Sequence, residues 1–186
     1  MILENGLRVY HGSYTKVEKP DLKMCKTGKD FGVGFYVTTD LEQAGRFVRL
    51  SVGKARKNGV MLPKPDKGFV SVYEITELTN CACFEFSGAD REWLHCVAAH
   101  RKEPLLVDEL EKWKAYEIIA GKIANDNTNR VITGYINGLY GAIGSESADN
   151  MAISLLMPEK LTDQICFRTD SALKTLKFSD TEEVSL

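Results

Sequence analysis

Between Lys29 and Val48 the chain reads KDFGVGFYVTTDLEQAGRFV, and this stretch restricts the fold more than any other. Gly32 and Gly34 bracket a short loop. The apolar residues Phe35, Tyr36 and Val37 follow as a strand, and Thr38, Thr39 and Asp40 open an amphipathic helix. An oxygen on Thr39 or Asp40 can accept from the free N–H groups of the first helical turn. Glu42 lies in that turn, where the helix dipole favours a negative charge. Leu41, Ala44, Phe47 and Val48 recur at helical spacing and are expected to face a core, with the helix running to about Ser51 or Arg56. Tyr36 is the unusual member. It sits mid-strand just after a glycine-flanked loop, where backbone can come close to a ligand. Its ring is either a core aromatic or a plate for a flat, amide-bearing ring.

Length and charge narrow the class. The 186 residues, 44% apolar and 27% charged, suit one globular domain, expected over residues 1–178, followed by a flexible acidic tail, 179–186. A net charge of -2 gives no reason to expect generic nucleic-acid binding. With neither a leader-like start nor a long apolar run, the expected location is the cytoplasm, without a membrane. Five scattered cysteines, Cys25, Cys81, Cys83, Cys96 and Cys166, do not form a secreted disulfide framework. Cys81 and Cys83 have no further zinc ligand at a recognisable spacing, so reduced, apolar-like cysteines and no metal are expected. No phosphate loop, dinucleotide fingerprint or HExxH run occurs.

Taken in order, Leu7 to His11 alternates as a strand, and residues 14–30 are a polar connection. After the opening strand and helix come strands over Phe69–Ile75 and Cys81–Phe86, and a helix over Asp90–Arg101. His95 and His100 in that helix are five apart, unsuited to share a metal, and read as structural or solvent-facing. A strand from Tyr116 to Gly121 leads to a helix over roughly 128–137, a turn over 139–145 and a helix over 148–156 ended by Pro158. Asp163–Arg168 is the last strand and Ser171–Leu176 a short helical segment.

Three residues stand out on separate short strands: His11 beside Gly12, Tyr36, and Gln164. Here the sequence resembles a known group. Val9-Tyr10-His11-Gly12-Ser13 resembles the first motif of ADP-ribosyltransferases of the poly(ADP-ribose) polymerase and diphtheria-toxin type. Gly32-Val33-Gly34-Phe35-Tyr36-Val37 resembles their second motif, and Leu161–Phe167 stands in the place of the third. Over nearly its whole length the chain is also similar to a bacterial family of uncharacterised proteins considered ADP-ribosyltransferase-like, through Glu92-Trp93-Leu94, Ala124–Asn127 and Asp163–Phe167.

The resemblance implies an α+β fold with a split, bent sheet that holds NAD+ as substrate. It implies that His11 bonds the adenine-side ribose and that the Gly12 backbone, beside Ser13 and Gly34, holds the carboxamide. Tyr36 would stack on nicotinamide, and Phe47, eleven residues on, would supply the opposite plate. The activity implied is transfer of ADP-ribose from NAD+ to an acceptor, be it protein, nucleic acid or small molecule. A toxin-like or defence role, with an antitoxin or regulator as partner, follows from the resemblance alone. The chain departs from the pattern at Gln164, where active members usually carry glutamate. An amide accepts from a hydroxyl but has no charge and cannot act as a base. A catalytically weak or inactive NAD+ or ADP-ribose binding module is therefore the alternative expectation. Asp163 should point to the other sheet face, and Asp126 is read as able to reach the cleft from its loop.

Overall fold

The computed structural model describes residues 3–102, 106–123, 126–157 and 161–186, with no account of the side chains of residues 107, 126 and 127. The chain is α+β, with two sheets. In the first, β1 (Arg8–Ser13) runs antiparallel to β3 (Lys67–Ile75), whose other edge pairs antiparallel with β7 (Leu176–Ser185). In the second, β2 (Phe35–Val37), β6 (Asp163–Phe167), β5 (Ile118–Lys122) and β4 (Cys83–Glu85) lie side by side in that order. All its pairings are antiparallel except the one between β4 and β5. The two sheets are joined where Tyr10 and Thr38 exchange backbone hydrogen bonds of 2.8 and 2.9 Å.

Side chains alternate across a strand, so each strand divides its residues between two cores. Ile165 and Phe167 of β6 join Phe35, Val37, Val9, Tyr73, Ile75 and Ile118 in a core drawn from both sheets. Burial of each such side chain contributes about 2 kcal/mol. Cys166 faces the other way, into a core that draws on helices α2 (Arg91–Arg101), α4 (Asp126–Ile136) and α5 (Glu146–Leu156), and on the buried Trp113. Gln164 has the same parity as Cys166. Tyr36 lies opposite Cys166 in the register, so Tyr36 and Gln164 share this face.

The opening helix, α1 (Leu41–Lys57), starts at Asp40, whose side chain accepts from the Gln43 N–H at 3.0 Å. It packs through Ala44, Val48 and Val52 against Val70 of β3. Leu41 and Phe47, expected in the core, are instead 41% and 39% exposed. At 100° per residue they flank Ala44 by about 60° on either side, and the close approach of α1 to β1 buries only the central stripe. The described residues also include two short α-helices, α3 (Val107–Trp113) and α6 (Asp170–Leu173).

The expected flexible tail, 179–186, is the greater part of β7. Acidic residues are poor in a central strand, but β7 is an edge, where charge faces water. Lys64 and Lys67 both pair with Glu183 and hold it to the sheet. The readings of Asp126 in the cleft and of Pro158 as a helix stop lie outside the described residues. No described helix is long and apolar enough to cross a membrane.

Candidate functional site

The site begins with a rung that the sheet omits. After the Tyr10–Thr38 bridge, the next antiparallel rung between β1 and β2 would join Gly12 to Tyr36. Tyr10 directs its N–H and C=O toward Thr38. Two residues on, Gly12 directs its own toward the same side, away from β3. Neither group is bonded to a described residue. The Tyr36 carbonyl that would have met Gly12 is taken by His11 Nδ1 at 2.7 Å. The imidazole thus occupies the acceptor that the omitted rung would have used. Gly12 also has to be glycine: a Cβ there would overlap the Ala44 carbonyl oxygen of α1.

The protonation of His11 follows from its partner. A carbonyl only accepts, so Nδ1 carries the hydrogen and Nε2 is left as an acceptor. Burial pushes the imidazole pKa down, partly offset by the bond to Tyr36, which keeps the ring neutral near pH 7. The ring keeps an exposed edge and rests on Phe35, with centroids 4.3 Å apart. Tyr36 is anchored at its far end. Its hydroxyl donates to the Gly32 carbonyl at 2.8 Å and accepts from the Phe31 N–H at 2.9 Å. Burial raises its pKa well above the usual phenol value, so it stays protonated.

Gln164 is buried, 5% exposed. Its Nε2 donates to Asp30 Oδ2 at 2.7 Å and to the Lys122 carbonyl at 3.2 Å. Asp30, 6% exposed, accepts through its other oxygen from Arg101 Nε at 2.8 Å and Nη2 at 2.5 Å. Arg101 in turn donates to Asn129 Oδ1 at 2.6 Å. Asp30 and Arg101 were not foreseen as site residues. Asp30 sits at the polar end of the Lys29–Val48 stretch, and nothing local marks its distant partners. Asp163 belongs to the opposite parity and pairs with Lys122 at 2.9 Å.

The remaining residues named from the sequence divide clearly. Ser13 is buried, and its hydroxyl accepts from the Thr15 N–H at 3.4 Å in a local turn. Gly34 lies so close to β6 that a Cβ would overlap Cys166 Sγ, so its lack of a side chain serves strand packing. Phe47 lies within the Ala44–Val48 turn of α1 that backs Gly12, with its ring exposed and out of ring contact with Tyr36. His100 is structural, its Nδ1 bonding the Cys96 carbonyl at 2.8 Å. His95 contacts Asp149 Oδ2 at 3.0 Å, and Arg91 and Tyr135 donate to the same buried carboxylate. A polar depression beside His95 and Glu109 lies apart from His11 and Tyr36, and the donors around Asp149 already satisfy its buried charge. The five cysteines are free thiols, and burial raises the pKa of Cys166 to about 12.

The arrangement offers a backbone donor and acceptor at Gly12, an imidazole acceptor, an aromatic ring and an amide oxygen. These suit a neutral carboxamide and sugar hydroxyls. Over residues 7–178 the chain matches the family described as protein of unknown function (DUF3990), and it belongs to that family. No curated protein and no solved structure matches it.

Proposed function

We propose that this member of the DUF3990 family is an NAD+-dependent ADP-ribosyltransferase on an ADP-ribosyltransferase-like split sheet. The observation that carries the reading is the omitted rung. The N–H and C=O of Gly12 face the split, matched in kind to the C=O and NH2 of a nicotinamide carboxamide. In this reading Tyr36 stacks on the ring and His11 Nε2 accepts from a ribose hydroxyl. Phe47 closes the sandwich from α1. Stacking adds about 1 kcal/mol per face beyond burial.

The reaction breaks the bond between the nicotinamide nitrogen and ribose C1′. The bonding electron pair leaves with nicotinamide, which becomes neutral. A nucleophile on the acceptor forms the new bond to C1′ and gives up its proton. The sugar passes through an oxocarbenium-like state, which nearby negative potential stabilises. The acceptor is a nucleophile-bearing side chain, base or small molecule.

A second reading rests on Gln164. Without a carboxylate at that position the protein would bind NAD+ or ADP-ribose and turn it over slowly or not at all. The test uses NAD+ labelled on its adenylate half, incubated with cell lysate and either wild type or Tyr36→Ala. Transfer by wild type and its loss in the variant supports the transferase. Equal labelling by both, or none, sinks it. Calorimetric NAD+ binding without nicotinamide release selects the binding module.

A further inference from the structure

Resting on that reading of the split as an NAD+ site, we propose that Asp30 and Arg101 are its positioning residues. They hold a charge-exchanged version of a ribose-binding carboxylate, with the charge on Asp30 and the ribose-facing group the amide of Gln164. Both partners of Gln164 Nε2, the Asp30 carboxylate and the Lys122 carbonyl, are pure acceptors. The amide nitrogen must therefore face them, and both its hydrogens are used. Oε1 is left on the far side, with no partner among the described residues, as an acceptor for a ribose hydroxyl. Two Arg101 N–H groups converge on Oδ1 and fix the carboxylate, leaving Oδ2 to the amide. The chain from guanidinium through carboxylate to amide polarises Oε1 beyond what a lone glutamine provides.

This coupling explains why glutamine stands at position 164. A glutamate there would bring a second carboxylate against Asp30 Oδ2 and offer no hydrogen to Lys122 O. Two carboxylates that close cannot both ionise. Exchanging both residues restores the shorter bond, to position 30, and leaves only the 3.2 Å contact with Lys122 O unmade. In D30N/Q164E, the oxygen of the introduced amide accepts from Arg101 and its NH2 donates to the introduced carboxylate. The net charge is that of the natural protein.

The experiment compares wild type, D30N, Q164E and D30N/Q164E for NAD+ affinity by calorimetry, nicotinamide release and urea unfolding, at several pH values. The expected result is a drop in affinity of about tenfold in each single variant and recovery close to wild type in the double. In the double variant, nicotinamide release also rises above that of wild type, because the charge then sits on the ribose-facing group itself. A merely structural pair would recover stability without that rise, and that result overturns the proposal. So does additivity of the two single effects, or a double variant that fails to fold. Failure of Q164E alone to fold, with a folded and binding double variant, supports the coupling. If none of the four proteins binds NAD+, the NAD+ reading falls and this proposal falls with it. If wild type binds NAD+ and the effects are additive, only this proposal falls.

Discussion

The two banks of the split are built on opposite principles. On the β1 side, polar groups are left without partners among the described residues: Gly12 N–H and C=O, and His11 Nε2. On the β6 side, the charged groups are paired within the protein, in a chain from Asn129 through Arg101 and Asp30 to Gln164. An unpaired backbone group beside a cleft costs stability unless a ligand or water meets it. A paired, buried chain is rigid but has little left to offer. The open bank therefore has the properties of a binding surface, and the closed bank those of a support that fixes one acceptor atom.

Asp30→Ala attacks the closed bank and has the largest expected effect. It leaves Arg101 without its carboxylate and one Gln164 hydrogen without an acceptor, at a cost of about 4 kcal/mol. Urea denaturation measures this, and a loss below a third of it would show that the pair is better solvated than its burial implies. Gly12→Ala attacks the open bank. Its Cβ overlaps the Ala44 carbonyl and forces α1 off β1, for about 2 to 3 kcal/mol, and NAD+ should no longer raise the melting temperature.

Acid should act on the open bank through His11. Its folded pKa lies below the 6.5 of the unfolded chain. The unfolded chain therefore takes up a proton first as pH falls, so this stability is complete above pH 6.5 and lost below it, at up to about 1.4 kcal/mol per pH unit. His11→Asn should flatten that slope in unfolding titrations. Phe47→Ala touches only the outer edge. It should leave the urea midpoint unchanged and weaken NAD+ binding by about 1 kcal/mol, roughly fivefold. The smallest effect is expected at Glu183→Gln, an exposed partner of Lys64 and Lys67 whose loss should not move the midpoint measurably.

Much of this was legible along the chain because it depends on neighbours in sequence. The strand at Phe35–Val37, a helix cap at Thr39 or Asp40 (the structure uses Asp40) and a helix from Asp90 are each local features of the chain. The tail misled for a related reason. Its acidic composition describes solvent exposure, but the edge of β3 supplies backbone partners that composition does not register. Phe47 misled because helical periodicity gives a face and not the width of the contact.

The sequence by itself determined which residue types were on hand: a histidine next to a glycine, a tyrosine after a glycine-flanked loop, and a glutamine where resemblance leads one to expect glutamate. Only the tertiary structure decided that Gly12 and Tyr36 are the two halves of an omitted rung, because β-pairing joins residues far apart in the chain. It alone placed Asp30 against Gln164, 134 positions away. Local chemistry can mark an amide as a weaker acceptor than a carboxylate. Where the compensating charge sits is set by packing, and packing brings it from the other end of the chain.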